Sequence, residues 1–191
     1  MRIAVFSIMI VAESLIGVSF LLTWIIPGFR IWPPPSRRSW QFYYFWILII
    51  FCYLAFITLG ILDWNSMIMS HWMRYPIGII LIIGGIGLLI WAIKSLSYVT
   101  SLGLGGEFIR TGPYRFTRNP QYLGFIILIL GYSIVTNSFM VWMCGLIGAV
   151  LFGIAPLLEE PWLEDMYGES YRHYKRRVPR FLGTKNYRND T

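Results

Sequence analysis

Apolar residues fall in long blocks along this chain, separated by short polar stretches. Residues 3–26 form the first block, with Glu13 as its only charge; residues 41–62 form the second and residues 76–93 the third, leading to Lys94. Each is close to the ~20 residues that a helix needs to cross ~30 Å of hydrocarbon. Helices are required there because lipid offers no partner for an exposed backbone N–H or C=O. A fourth block, roughly 121–157, is too long for one crossing and carries Thr136-Asn137-Ser138 near its middle, a polar turn signal. The pattern therefore predicts a tight hairpin of helices over 121–135 and 139–157. The first arm is short, so it tilts or locally thins the bilayer. The expected fold class is an all-α integral membrane protein with five transmembrane helices.

The pattern changes at Leu157. From Glu159 to Arg177 charges alternate with aromatics, and Trp162, Met166, Tyr167, Tyr171 and Tyr174 recur at helical spacing, broken near Gly168. Helices lying along the membrane interface are expected, with aromatic rings at headgroup depth. Acidic residues early and basic ones late suit the helix dipole.

Composition agrees with a membrane chain. Of 191 residues, 57% are apolar and 13% charged, whereas soluble domains hold about 25% charged residues. The length suits one membrane-embedded domain, with residues 1–94 as three spans, 95–183 as the half that holds the helical hairpin and 184–191 as a basic tail. Arg2 before an apolar block resembles a signal peptide, but Trp24-Ile-Ile-Pro27 follows in place of a small-residue cleavage pattern, so a retained helix is expected. With the C-terminus in the cytoplasm, fourteen of the sixteen Lys and Arg fall on that side, leaving only Arg2 and Arg74 opposite. This positive-inside bias fixes the expected orientation. The net charge of +7 then serves topology and anionic lipid heads; the basic residues flank membrane spans, which argues against nucleic acid as a partner. Cys52 and Cys144 lie inside apolar blocks and read as packed side chains. His71 and His173 are far apart without nearby cysteine, so no metal site is expected.

Several polar groups stand out against this background. Glu159 and Glu160 lie at the end of the last span and project about 100° apart on a helix, so one can face the bundle. A carboxylate near low dielectric needs a partner; Arg115, Arg118 and Arg180 are candidates, as is a cationic or hydroxyl-bearing ligand, and a simple charged helix end is the alternative. Arg118-Asn119-Pro120-Gln121-Tyr122 has the form of a helix start, with Asn119 as N-cap and Pro120 at the first position. Such a start also points amides and an arginine at an anion. Glu13, inside a span, is either functional or satisfied by Ser14, Ser19 or Lys94. Pro33-Pro34-Pro35 reads as a stiff spacer. Gly78, Gly84, Gly85 and Gly87 read as close helix packing. Gly103-Leu-Gly-Gly106 follows no strand, so it is a loop and no dinucleotide fingerprint.

Taken together, Gly112-Pro113-Tyr114, Arg118-Asn119-Pro120-Gln121-Tyr122, Gly124, Glu159-Glu160, Tyr167-Gly168-Glu169, Tyr171, Tyr174 and Val178-Pro179-Arg180-Phe181 resemble the signature of the isoprenylcysteine carboxyl methyltransferase and phospholipid N-methyltransferase group. The resemblance covers roughly residues 95–183. It implies S-adenosylmethionine as cofactor, bound by this half beside a tunnel into the membrane, and a lipophilic methyl acceptor. By the same resemblance Gly112, Tyr114, Arg118, Asn119, Pro120 and Tyr122 line the cofactor site, with Glu159, Glu160 and Tyr171 on its other side. Arg180 is similar to an arginine near the acceptor, and Arg180 with Glu160 are the expected catalytic pair. Prenylcysteine methyltransferases usually carry His where this chain has Asn119, while Gly103-Leu104-Gly105 is similar to a glycine motif of phospholipid N-methyltransferases. The expected activity is isoprenylcysteine carboxyl methyltransferase-like, with phospholipid N-methylation as the alternative. An NADPH-dependent membrane reductase, which shares a similar C-terminal half, and a non-enzymatic scaffold are the rival classes.

Overall fold

The structure is a computed structural model that describes residues 1–26, 28–67, 71–96 and 98–183. The basic tail expected over 184–191 lies outside the described residues. All regular structure among these residues is helical: α1 (Arg2–Ile25), α2 (Trp40–Leu62), α3 (Arg74–Leu96), the single turn α4 (Tyr98–Ser101), a 3-10 turn (Gly112–Arg115), α5 (Pro120–Thr136), α6 (Phe139–Tyr167) and α7 (Glu169–Arg177). α1, α2, α3 and α6 are long and apolar enough to cross a membrane, and α5 is the shorter apolar helix. Large apolar side chains such as Ile47, Ile61, Ile80, Ile83 and Leu146 are exposed on the outside, while Glu13, Arg118, Asn137 and Glu160 are buried within. That inverted distribution is what a lipid solvent selects.

α3 and α5 pack most closely. A methyl group on Gly85 would meet the Gly124 carbonyl at 2.8 Å, and one on Gly131 would meet the Gly78 carbonyl at 2.8 Å. Each helix thus presents two glycines seven residues apart, paired antiparallel, so the backbones touch. Gly84 and Gly87 face open space and take no part. On the other side α1, α2 and α6 enclose an apolar core around Met9, Phe56, Leu59, Val141 and Cys144.

The hairpin between α5 and α6 forms where Thr136-Asn137-Ser138 predicts it. Asn137 takes the left-handed conformation, with φ of 48°, which Asn tolerates better than most residues. Ser138 caps α6 by accepting from the Val141 amide and donates to Asp63 at 2.7 Å. Asp63, at the end of α2, also accepts from Ser66 and is bridged by Arg2 at 3.3 Å. Burial alone would push the Asp63 carboxyl up, but the hydrogen bonds from Ser138, Ser66 and the Met140 amide, with Arg2, hold it below its ordinary value. One carboxylate therefore ties α1, α2 and the α5–α6 turn at this end of the bundle.

Two sequence readings need correction. α6 does not stop near Leu157 but continues through Pro156 and Pro161 to Tyr167. A proline removes one helical hydrogen bond, which a membrane helix held by its neighbours tolerates. The helix ends at Gly168, whose φ of 56° favours glycine. The second correction concerns the proline loop. Ile31, Trp32, Pro33 and Pro34 are buried, and only Pro35 is exposed. Trp32 stacks on Phe45 at 4.4 Å and lies against Gly103, where a methyl would meet the ring at 2.7 Å. The segment is a packed wall, not a spacer.

Candidate active site

From Phe139 to Glu159 α6 rises about 30 Å at 1.5 Å per residue, the thickness of a hydrocarbon core. The Glu159-Glu160 pair therefore stands at the membrane boundary opposite Asp63, where the proline loop, the 101–119 segment and α7 converge. They surround a cavity of about 130 Å³. Its floor is aromatic, from Phe45, Trp46, Tyr53 and Phe125, and its wall is polar, with Arg118, Asn119, Gln121, Tyr122 and Glu159.

The two glutamates do different things, as their angular separation predicts. Glu159 faces the cavity and accepts a hydrogen bond from the Tyr122 hydroxyl at 2.7 Å; that hydroxyl in turn accepts from the Trp32 indole N–H at 2.9 Å. Among the described residues no cation pairs with Glu159. Glu160 faces the other way, into a cluster of cations. Arg118 donates to its Oε1 at 2.7 Å, Arg180 donates to both oxygens at 2.9 and 2.8 Å, and Lys175 lies 3.6 Å away. Those hydrogen bonds hold Arg180 above the ordinary guanidinium value. Bidentate Arg–carboxylate geometry is among the stronger ion pairs available to a protein.

The same cluster fastens the C-terminal segment to the start of α5. Arg118 donates from its backbone amide to the Pro179 carbonyl and from its side chain to the Lys175 carbonyl. The Thr117 hydroxyl and the Asn119 side-chain amide both donate to the Arg180 carbonyl at 3.0 Å. Asn119 does occupy the N-cap position, but its side chain makes no capping bond because it is used for this clasp. Tyr174 adds a hydrogen bond to the Tyr114 carbonyl at 2.7 Å, and Tyr171 and Tyr174 pack on Phe108. Burial pushes the Tyr114, Tyr171 and Tyr174 hydroxyls up from their ordinary values, so they remain protonated donors at neutral pH.

Of the residues expected at the cofactor site, Tyr114, Arg118, Asn119, Pro120, Tyr122, Glu159 and Tyr171 line the cavity. Gly112, Glu160 and Arg180 stand outside that lining. Gly112, at φ of 60°, packs against Ser95 and Trp91 of α3. Sequence reasoning missed Trp32, Gln121 and Trp162 as lining residues. A tryptophan directly before three prolines was the available signal for the first, since an exposed spacer gains nothing from an indole. No group of three or more potential metal ligands gathers anywhere among the described residues.

Comparison with known proteins now bears on this cavity. The family model described as phospholipid methyltransferase matches residues 73–170, which run from α3 to the first turn of α7. The chain belongs to the phospholipid methyltransferase family. It is 32% identical to phosphatidylethanolamine N-methyltransferase B of Dictyostelium discoideum over 73% of this chain and 74% of that protein. It is 30% identical to the steroid 5-alpha-reductase DET2 of Solanum lycopersicum over 58% of this chain and 43% of that protein. With the protein-S-isoprenylcysteine O-methyltransferase of Schizosaccharomyces pombe it shares 31% identity over 37% of this chain and 30% of that one. No solved structure matches the chain significantly. The chain is thus a membrane methyltransferase, and the matched region contains both Glu159 and its hydrogen-bond donor Tyr122.

Proposed function

We propose that this chain transfers a methyl group from S-adenosylmethionine to a lipophilic acceptor at the cytoplasmic edge of the membrane. The observation that carries the reading is the pairing of two spaces. The polar-walled cavity adjoins a second, apolar chamber of about 60 Å³ between α1, α2, α5 and α6, and Phe45, Ile49, Tyr53, Tyr122 and Phe152 border both. One space suits a charged cofactor and the other a hydrocarbon chain.

The residues present fit the cofactor. Arg118 Nε is buried without a hydrogen-bond partner on the cavity wall, a donor suited to the methionine carboxylate. Glu159, bonded only by Tyr122, suits the amino group or ribose hydroxyls. Tyr114, Tyr122 and Tyr171 present rings to a cation, worth about 0.5–2 kcal/mol each where desolvated. When bound, S-adenosylmethionine supplies a methyl group activated on a sulfonium. The protein aligns the acceptor, excludes water and holds the cavity in shape. Asn119 and Pro120 set the start of α5, Gly112 seats the preceding turn on α3, and Glu160 with Arg180 brace Arg118 from behind.

Two acceptor classes are served by such a site. The isoprenylcysteine-type carboxylate is supported by the C-terminal signature and the fission-yeast relative. The phospholipid-type amine is favoured by a specific observation: Arg180, the cation expected beside a carboxylate acceptor, is engaged by Glu160 and stands outside the cavity lining. Thermal unfolding of the detergent-solubilised protein with S-adenosylmethionine, S-adenosylhomocysteine or NADPH tests the cofactor. The first two stabilise it by about 2.7 kcal/mol at a hundredfold excess over Kd; stabilisation by NADPH alone overturns the reading. Labelled methyl transfer to phosphatidylethanolamine vesicles and to a farnesylated cysteine then separates the acceptors. Labelling a Ser170→Cys variant from either side of sealed vesicles tests the orientation.

A further inference from the structure

Glu13 is the one charged residue of α1 beyond its first residue, Arg2; eleven residues on, about 17 Å along the helix at 1.5 Å per residue, it lies near mid-membrane. It is 4% exposed, and its Oε2 is buried with no hydrogen-bond partner. None of the partners that the sequence offers reaches it. The Ser19 hydroxyl donates to the Leu15 carbonyl and pairs with Tyr44, while Ser14 and Lys94 are exposed. The group instead lines the apolar chamber, among Met9, Ile16, Cys52, Ile129 and Cys144. Opposite it α6 carries Gly148, where a methyl group would lie 3.5 Å from Glu13 Oε1, in ordinary contact, and a larger side chain would enter the chamber. A glycine here keeps the space beside the carboxyl open.

An unpartnered carboxyl at this depth costs several kcal/mol unless something bonds to it. A residue serving only to pack the chamber would be apolar, like its neighbours. From Gly148 to Glu159 α6 spans about 17 Å, so Glu13 stands about that far along the bundle from the cavity-facing carboxylate. We infer that Glu13 anchors the far end of the methyl acceptor's chain, and that this chain bears a hydrogen-bond donor, such as a hydroxyl, about 17 Å from the methylated atom. The inference rests on the reading of the two spaces as cofactor cavity and acceptor chamber. It assigns specificity to the depth of the chamber: a chain without the distal donor leaves Glu13 unsatisfied, and a short one does not reach it. Sites built to hydrogen-bond a substrate group discriminate strongly against analogues that lack it.

The test compares 1,12-dodecanediol with 1-dodecanol as ligands, two probes that differ only in the distal hydroxyl. Binding is read by thermal unfolding in detergent, with no turnover required. In the wild-type protein the diol stabilises at a concentration at least about tenfold lower than the alcohol, as expected for one well-made buried hydrogen bond. In Glu13→Leu that preference disappears, and Glu13→Gln, which still donates and accepts, retains part of it. Gly148→Leu, which fills the space beside the carboxyl, abolishes it without touching Glu13 and serves if Glu13→Leu fails to fold. Equal response to both probes in the wild-type protein, or a preference that survives both Glu13→Leu and Gly148→Leu, overturns the inference. Parallel titration with S-adenosylmethionine keeps the two ideas apart. Stabilisation by the cofactor without a diol preference sinks only the anchor, whereas a Glu13-dependent diol preference without cofactor binding sinks the proposed function.

Discussion

Replacing Glu160 with Gln removes the negative charge on which Arg118, Arg180 and Lys175 converge. The side chains of Arg118 and Glu160 are 5% and 4% exposed, so this pair is sheltered from solvent. Arg180 and Lys175 are 37% and 38% exposed, and their share is discounted for screening. Breaking a buried pair by removing one partner costs about 3–5 kcal/mol, because the other charge stays buried alone. Gln keeps the shape and one acceptor, so the low end, about 3 kcal/mol, applies. For a chain of this size that corresponds to a fall in Tm of about 6–12 °C. The assay is tryptophan fluorescence during thermal unfolding in detergent, with Arg118→Met and the double variant completing a cycle. Glu160→Gln is expected to cost more than Arg118→Met, since the latter leaves Glu160 with two cations. The double variant should cost less than the sum, because the stranded charge is gone. A loss below about 1 kcal/mol, the range of an exposed ion pair, would refute the view of Glu160 as the brace of the site. Severe loss of cofactor binding with no change in Tm would instead make Glu160 a direct ligand.

Three further outcomes are expected. Tyr122→Phe strands the Trp32 indole N–H and leaves Glu159 without its hydrogen bond, lowering stability by about 1–3 kcal/mol and weakening S-adenosylmethionine binding measured by calorimetric titration; full affinity would remove Glu159 from the cofactor wall. Gly85→Val drives a side chain into the Gly124 carbonyl and should cost more than about 1–3 kcal/mol, whereas Gly84→Ala, with open space around it, should be neutral or stabilising by up to about 1 kcal/mol; equal Tm values would contradict the α3–α5 contact. Asp63 has a folded-state value below its unfolded one, so its contribution is full above the ordinary carboxylate range and is lost as pH falls through the depressed value. Asp63→Asn should flatten the acid limb of a Tm-against-pH curve, and an acid limb identical to wild type would count against the tie.

Much of this was legible in the sequence where the determining contacts are local. The ends of α2 and α5 fall within a residue of the polarity changes, and Asn137-Ser138 turns the chain because Asn tolerates positive φ and Ser caps the next helix. Gly78 and Gly85 signalled close packing, but Gly84 and Gly87 carried the same signal and face lipid; only the partner helix decides which glycines are used. The change from apolar to charged residues after Leu157 read as the end of a helix, but it marks only where α6 leaves the apolar region, and the helix itself continues to Tyr167. The clasp between Asn119 and the Arg180 carbonyl, and the chain from Trp32 through Tyr122 to Glu159, join residues 37 to 90 positions apart. Asn119, Tyr122, Glu159 and Arg180 could be named as polar and out of place but not paired in this way, and Trp32 was missed. The angle between Glu159 and Glu160 was legible as a division of faces, but which one meets the cavity and which one the cations was not.

The clasp also orders events during synthesis. Residues 178–180 supply the carbonyls and the guanidinium that complete the wall begun at Thr117, so α1 to α6 leave the ribosome before the site has its last side. Until Arg180 arrives, the start of α5 lacks the acceptors for Thr117 and Asn119, and Glu160 lacks its bidentate partner. Membrane insertion of the spans and closure of the clasp are therefore separate steps, and the second waits on residues 178–180.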